Sequence, residues 1–218
     1  MNILVTAGPT REAIDPVRFI ANRSSGKMGY FTAAAAAARG HKVRLVSGPV
    51  CLPAPDGVTM TQVVSSDDML RAVRTHLSWC DVLIMAAAVA DWRPADVAPA
   101  KIKKTGRSMM LELVPTPDIL RDIAPYKQQR LFVGFAAETS TVVAYAAAKL
   151  AAKNLDYIVA NDVSQPDAGF EVDTNRAVLL GADGSREEWQ LMSKRDMAER
   201  LLDVIETATP QTGGRGNC

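Results

Sequence analysis

The sequence predicts an α/β protein built on a doubly wound, mostly parallel sheet with added antiparallel edge strands near the C-terminus. Apolar runs alternate with helical patterns along most of the chain, which is the rhythm of repeated βαβ units. The runs at 81–88 and 131–138 are apolar at almost every position, as is typical of parallel strands covered on both faces. A long polar connection after the first strand indicates a binding loop, since most such connections have about 2–6 residues.

The first half of the chain supplies most of the predicted sheet. The first strand includes Ile3, Leu4 and Val5, and an alanine-rich helix at 27–39 ends at Gly40, a fitting stop. A second helix begins at Ser66 or Asp67, which can cap it, and ends near Ser78. A third helix begins at Pro117. The further strands predicted here are 42–47, 58–64, 81–88 and 109–114.

The second half completes a Rossmann-like architecture. Two buried strands at 131–138 and 155–160 flank a helix at 140–153. More polar strands at 169–172, 175–181 and 188–191 surround an Asp183-Gly184 turn, which favours antiparallel edge strands. An amphipathic helix at 194–206 closes a single domain of residues 1–206, and the sequence predicts a disordered tail at 207–218.

Composition excludes several classes of function. The 218 residues contain 48% hydrophobic and 22% charged residues with a net charge of +1, so no nucleic-acid or membrane partner is expected. No apolar run approaches the length of a membrane span. The three cysteines and two histidines show no metal-ligand spacing, which predicts a reduced, cytoplasmic protein without a structural metal site.

The first crossover is the principal candidate site. Ser24-Ser25-Gly26 precedes a helix, whose N-terminal N–H groups and positive dipole end suit an anion. Ser24, Ser25, Gly26 and the loop residue Arg18 are therefore candidates for binding a substrate phosphate or acyl group. Neither common nucleotide motif is present, because Pro9 interrupts a dinucleotide-binding turn and Met28 replaces the Ser or Thr of a phosphate-binding loop.

Other segments leave two interpretations open. Small residues at 86–90 would allow a ligand to approach the backbone, with Asp91 accepting from a ribose hydroxyl or holding a metal. The alternative is that the alanines belong to the core and that Asp91 caps a helix or lies in a turn. Four cations lie within 101–107, which is either a solvated hairpin tip or a flap that closes over phosphates. Lys149 and Lys153 share one helix face, which is ordinarily a solvated surface.

Eight blocks together resemble the bacterial phosphopantothenoylcysteine synthetase family. They occur in one order and cover essentially residues 2–206. The blocks are GPTR at 8–11, DPVR at 15–18, NRSSGKMG at 22–29, AAVAD at 87–91, KIKK at 101–104, PDI at 117–119, GFAAET at 134–139 and ANDV at 160–163.

The resemblance implies a CTP-dependent ligase of coenzyme A biosynthesis. The family activates the carboxylate of 4′-phosphopantothenate as an acyl-cytidylate, releases pyrophosphate, and joins the acyl group to L-cysteine with release of CMP. Mg²⁺ would bridge the triphosphate, held by phosphate oxygens and water. The resemblance also implies a homodimer and a flavin-dependent decarboxylase, either fused or associated, and leaves open a stand-alone enzyme.

The resemblance further assigns roles to individual residues. Asn22 would contact the acyl intermediate, and Lys101 on the flap would stabilise charge on the α-phosphate. The residues implied for the nucleotide site, besides Lys101, are Met85, Ala86, Ala87, Asp91, Pro117, Asp118, Ile119, Leu120, Phe135, Lys149 and Lys153.

Two alternatives from other classes share this fold class. An NAD(P)-dependent reductase is disfavoured by the absence of a G-x-G-x-x-G turn after the first strand. A non-catalytic nucleotide-binding domain would bind a nucleotide without turnover.

Overall fold

A computed structural model describes residues 1–138, 142–162 and 172–209. Within these ranges the chain forms an eight-stranded sheet and two short two-stranded hairpins. The strands are β1 (Asn2–Ala7), β2 (Arg11–Ala13), β3 (Phe19–Ala21), β4 (Lys42–Ser47), β5 (Val58–Gln62), β6 (Val82–Met85), β7 (Trp92–Pro94), β8 (Leu113–Pro115), β9 (Leu131–Glu138), β10 (Tyr157–Asp162), β11 (Thr174–Gly181) and β12 (Arg186–Ser193).

The helices connect these strands and cover both faces of the sheet. They are α1 (Lys27–Ala38), α2 (Ser66–Leu77), α3 (Ile119–Ile123), α4 (Val142–Ala152) and α5 (Lys194–Ala208), with a short 3₁₀ helix at Ala124–Tyr126. In the described ranges, no helix has both the length and the apolar character needed to cross a membrane.

The strand order confirms the predicted Rossmann-like sheet. The order across the sheet is β12-β11-β10-β9-β6-β1-β4-β5, and the strands from β10 to β5 are parallel to one another. Strands β11 and β12 are antiparallel edge strands, as expected. Chain order reverses between β1 and β6, so the crevice at the carboxyl ends of these strands is the expected ligand site.

Two hydrophobic cores lie on opposite faces of the sheet because successive strand residues point in opposite directions. Along β1, Ile3 and Val5 pack with α1 and α5, whereas Leu4 packs on the face covered by α2, α3 and α4. All three side chains are fully buried. The apolar alternation therefore fixes which helices lie on each side of the strand ends.

Close packing of α1 against β1 brings its N-terminus to the crevice. A Cβ on Gly29 would lie 2.6 Å from Ala7 Cβ and 2.8 Å from Thr6 O, so only glycine fits this contact. At the other end of α1, Arg39 forms ion pairs with Glu199 and Glu206 of α5 at 2.7 and 3.0 Å. These contacts hold α1 against both the sheet and α5.

Several predicted boundaries are corrected by the structure. The predicted loop after β1 contains the β2–β3 hairpin, and the predicted strand at 109–114 is reduced to β8, which pairs with β7. Three-residue strands are too short for an apolar period to be recognised. Residues 207 and 208 belong to α5 rather than to a tail. The remaining tail from residue 210 and most of the predicted strand at 169–172 lie outside the described residues.

Candidate functional site

A cavity of about 360 Å³ opens at the carboxyl ends of the central parallel strands. Its walls come from the segments that follow β3, β6 and β8, from the C-terminal part of β9, from α4, and from the ends of β10, β11 and α5. Most of the site residues predicted from the sequence line this cavity. They are Asn22, Ser24, Ser25, Gly26, Met85, Ala86, Ala87, Asp91, Pro117, Asp118, Ile119, Leu120, Phe135, Lys149 and Lys153.

Two predicted site residues lie elsewhere. Arg18 and Lys101 are not among the residues that line the cavity. The Arg18 guanidinium bonds to Asp15 Oδ2 at 2.5 Å and to the carbonyl oxygen of Ile102 at 2.8 Å. Lys101 is exposed, beside the residue that Arg18 contacts. A substrate contact by either residue remains a prediction.

The backbone after β6 forms the floor of the cavity and is held by threonine hydroxyls. Thr6 Oγ1 accepts from the N–H of Ala87 at 3.1 Å, and Thr10 Oγ1 accepts from the N–H of Ala90 at 2.9 Å. Thr116 Oγ1 donates to the carbonyl of Ala90 at 2.5 Å. Thr6 and Thr10 are fully buried. These bonds fix a segment that belongs to neither a helix nor a regular strand.

Asn22 joins the polar loop to this floor. Its Nδ2 donates to the carbonyl of Val89 at 3.0 Å, while the side chain remains exposed to the cavity. The amide oxygen of Asn22 can accept a hydrogen bond in addition, because an amide carries donors and an acceptor. Asn22 is thus positioned by one of its own polar groups.

The start of α1 offers backbone donors to the same cavity. Gly26, the N-cap residue, has φ of 76° and no side chain with which to cap the helix. A Cβ at Gly26 would lie 2.9 Å from Val50 Cγ1, so a larger residue would be strained here. An uncapped helix N-terminus at a cavity wall is suited to an anion.

Lysines on α4 contribute positive charge at the opposite wall. Lys149 Nζ donates to the carbonyl of Phe135 at 3.1 Å, which ties α4 to the end of β9. Lys153 Nζ lies 3.1 Å from Oδ1 of Asp118, the N-cap residue of α3. Both lysines line the cavity. The alternative that they form a solvated outer face of the helix is therefore wrong.

Sequence reasoning did not assign several further polar residues to the site. Lys27, Asn161, Asn175 and Lys194 also line the cavity. Lys194 is only 3% exposed; burial lowers the pKa of its ammonium, and the charge of Lys27 lowers it further. Lys27 in turn forms an ion pair with Asp173 at 2.5 Å. Two of them had a local signal in the sequence, Lys27 directly after Ser24-Ser25-Gly26 and Asn161 in the Asn161-Asp162 pair at the end of a buried strand.

Asn161 contributes an acceptor without a partner. Its Oδ1 is buried and has no hydrogen-bond partner among the described residues. A buried polar atom of this kind is costly to leave unpaired. A ligand that carries a donor can satisfy it when the ligand enters the cavity.

Acidic and other metal-binding side chains do not form a cluster in the part of the chain that the structure describes. No group of three or more His, Cys, Asp or Glu residues there is arranged to hold a metal ion. Asp91 and Asp118 are the described carboxylates that line the cavity.

Comparison with known proteins places the chain in a family. The model of the DNA/pantothenate metabolism flavoprotein C-terminal domain matches residues 1–208. The chain belongs to this family. The predicted resemblance to phosphopantothenoylcysteine synthetases is thereby confirmed at the level of the family.

Relatives within the family are similar along almost the whole chain. The coenzyme A biosynthesis bifunctional protein CoaBC of Bacillus subtilis is 48% identical over 98% of this chain and 53% of its own length. The protein of that name from Escherichia coli K12 is 49% identical over 95% of this chain and 52% of its own length. The chain therefore spans about half the length of these curated relatives.

A solved structure shows the same fold. The crystal structure of the C-terminal domain of a CoaBC protein is 45% identical, with a TM-score of 0.81 and 94% of both chains covered. The described residues therefore share the fold of that C-terminal domain.

The substitution Thr10→Val tests how much the threonine contacts of the cavity floor stabilise the fold. Valine keeps the shape of the side chain but removes the hydroxyl. We expect the free energy of unfolding to fall by about 1–3 kcal/mol, because the buried N–H of Ala90 loses its acceptor. Urea denaturation measures this change. The matched control is Thr75→Val, since Thr75 is exposed on α2 and its hydroxyl donates only to the preceding helical turn. An equal effect of the two substitutions would contradict a special role for Thr10.

Proposed function

We propose that this chain is a phosphopantothenate–cysteine ligase that uses CTP. The carboxylate of 4′-phosphopantothenate attacks the α-phosphorus of CTP, and pyrophosphate leaves. The amine of L-cysteine then attacks the acyl carbon, and CMP leaves as the amide forms. The observation that carries this proposal is one cavity that combines four lysines with an uncapped helix N-terminus and a small-residue floor, the last two of which come from the family's motifs.

This chemistry requires charge stabilisation rather than a protein nucleophile. Pyrophosphate and CMP are both anionic leaving groups, so cations and N–H donors fixed in place before the reaction lower the barrier. Ammonium groups reach the cavity from three helices, with Lys27 at the start of α1, Lys149 and Lys153 on α4, and Lys194 at the start of α5. The relatives' name, coenzyme A biosynthesis bifunctional protein, is in keeping with such a substrate.

The nucleotide is proposed to bind between the floor of the cavity and α3. The pyrimidine would lie against backbone groups at Met85, Ala86 and Ala87 beside Phe135, where small side chains permit close approach. Asp91 would accept from the ribose. Pro117, Asp118, Ile119 and Leu120 at the start of α3, with Lys149 and Lys153, would enclose the remainder of the nucleotide.

The reacting carboxylate is proposed to lie near Asn22. From there its amide can donate to developing charge on the acyl oxygen. Ser24, Ser25 and Gly26 at the start of α1 would bind a phosphate, as the uncapped helix end suggests. Lys101 would reach the α-phosphate from the flap at 101–107, and Arg18 is kept as a further candidate contact for substrate.

Mg²⁺ is proposed to accompany the triphosphate. The described residues offer Asp91 and Asp118 but no group of three acidic, His or Cys side chains suited to a metal. This donor set fits a cation bound mainly by phosphate oxygens and water, which Mg²⁺ tolerates because it retains several waters. The ion would neutralise charge on the β- and γ-phosphates.

The hairpins are proposed as the interface of a homodimer. Strands β2 and β3 and the segment from β7 to β8 expose large apolar side chains, of which Phe19 is 48%, Trp92 52% and Met110 95% exposed. Exposed apolar groups of this size are typical of interaction sites.

A flavin-dependent decarboxylase, which the resemblance pairs with this ligase, is the second proposed partner, either fused or associated.

The activity is tested by measuring pyrophosphate release with CTP, ATP or GTP, with and without 4′-phosphopantothenate and cysteine. We expect release to require CTP and phosphopantothenate, and CMP formation to require cysteine in addition. Equal kcat/KM for CTP and ATP would contradict the assignment of CTP. Binding of a nucleotide without turnover would indicate a non-catalytic domain, and tight NADPH binding would indicate a reductase.

Asn22→Ala separates the two half-reactions. We expect nearly normal affinity for CTP and a loss of about 10²–10³ in the rate of product formation, because a donor aimed at developing charge is removed. Calorimetry measures the affinity, and a pyrophosphate burst beside cysteine-dependent CMP release measures the two steps. The matched control is Asn2→Ala, since Asn2 also donates from Nδ2 to a backbone carbonyl, that of Trp79, far from the cavity. Near wild-type CMP release by Asn22→Ala would remove its assigned role.

Leu113→Asp tests the proposed interface. Leu113 in β8 is 40% exposed, so a carboxylate there should cost little in folding but should weaken an apolar contact between copies. We expect light scattering to show a dimer for the wild type and a shift toward monomer for the variant. The matched control is Leu191→Asp on β12, 42% exposed and away from the hairpins. A monomeric wild type, or equal shifts in both variants, would contradict the interface.

A further inference from the structure

The turn of the β2–β3 hairpin contains a carboxylate with an unusually complete set of partners. The side chain of Asp15 is fully buried from solvent. Its Oδ1 accepts from the backbone N–H groups of Val17 and Arg18, both at 2.8 Å. Its Oδ2 accepts from Nε of Arg18 at 3.0 Å and from the N–H of Ile102 at 3.1 Å. The hydrogen bonds from the Arg18 guanidinium, with those backbone donors, hold the pKa of Asp15 well below its ordinary value.

The same ion pair binds both backbone polar groups of Ile102. Asp15 accepts its N–H, and Nη2 of Arg18 donates to its carbonyl oxygen at 2.8 Å. A nearby backbone bond from the N–H of Ala98 to the carbonyl of Ile14, at 3.0 Å, joins the same two segments. Residues 103–113, by contrast, are all exposed. Ile102 is therefore a point at which the cationic segment is fixed to the hairpin.

This contact lies directly beside the flap lysine. Lys101 and Ile102 share a peptide bond, and that peptide's N–H is the donor to Asp15. Because a peptide unit is planar, fixing this group restricts the direction in which the Lys101 backbone and side chain leave it. The hairpin that holds Ile102 also leads into Asn22, which is bonded to the cavity floor. Flap and floor are thus held by one short element.

We propose that Asp15, together with Arg18, is a positioning residue that anchors the flap at Ile102 and thereby sets the reach of Lys101 toward the reacting phosphate. The inference rests on the proposed function for the role of Lys101. The anchoring itself depends only on the contacts of Asp15. Asp15 touches neither substrate nor nucleotide in this assignment, and its effect on the reaction passes through Lys101.

Limited trypsin digestion tests the anchor without any substrate. In Asp15→Ala we expect cleavage after Lys101, Lys103 and Lys104 to become several-fold faster, because proteolysis follows the population of the open segment. Asp68→Ala is the matched control. Asp68 likewise pairs with an arginine three residues later and accepts from a backbone N–H, that of Ser65 at 2.9 Å, but it caps α2. Unchanged cleavage in Asp15→Ala, or an equal increase in Asp68→Ala, would overturn the proposal.

A double-mutant cycle tests the route through Lys101. We expect Asp15→Ala to slow the pyrophosphate burst by about 10–100-fold with little change in CTP affinity, since a misplacement of about 1 Å can cost this much. In a Lys101→Gln background, Asp15→Ala should slow the burst no further, because residues that act through one contact are not additive. Fully multiplicative effects would show that Asp15 acts independently of Lys101 and would overturn the positioning role.

Two additional measurements keep the outcomes separate. Urea denaturation of every variant identifies those that fail to fold. If Asp15→Ala does not fold, Asp15→Asn replaces it, because this substitution keeps the shape of the side chain but removes its charge. If the wild type releases no pyrophosphate with any nucleotide, the proposed function fails. In that case the role of Lys101 in this reaction is rejected as well. The trypsin digestion still tests, by itself, whether Asp15 anchors the segment at Ile102.

Discussion

The cavity depends on hydrogen bonds that join threonines in and just after β1 to the backbone segment that follows β6. Residues 86–91 form neither helix nor regular strand, so their N–H and carbonyl groups need partners outside the segment. Thr6, Thr10 and Thr116 provide several of these partners through side-chain oxygens. Because threonine bonds hold the segment, its own side chains can remain as small as alanine. A ligand can therefore contact the backbone at the point where the strand order reverses.

Positive charge in the cavity is assembled from elements that are far apart in sequence. Lys27 begins α1, Lys149 and Lys153 belong to α4, and Lys194 begins α5. Each ammonium group is anchored differently, Lys27 by Asp173 and Lys153 by Asp118. Buried Lys194 has a lowered pKa, which reflects the cost of holding charge away from water near a second cation. An anionic ligand would relieve this cost, which links electrostatics to the proposed chemistry.

The sequence predicted those features that have a local physical signature. Long apolar runs identified β6 and β9, and Ser24-Ser25-Gly26 identified a helix start at the cavity wall, because each pattern is continuous in the chain. The β2–β3 hairpin and strand β7 were missed, since three-residue strands are held by tertiary contacts rather than by an apolar period. Asn175 and Lys194 were missed because only the antiparallel edge strands bring them to the cavity. The bond from Arg18 to Ile102 spans 84 positions and has no local signal.

The turn after β1 also explains why this chain lacks the pyrophosphate-binding site that dinucleotide-binding proteins have at this position. Pro9 forms a parallel bridge to Ala88, the N–H of Ala88 donates to the carbonyl of Gly8 at 2.9 Å, and the N–H of Thr10 donates to the carbonyl of Ala88. The two crossovers are thus joined across the crevice where a dinucleotide's pyrophosphate would meet a glycine-rich turn. Replacing Pro9 with glycine would leave this bridge in place. A change of cofactor class would require a new path for the whole backbone between two strands.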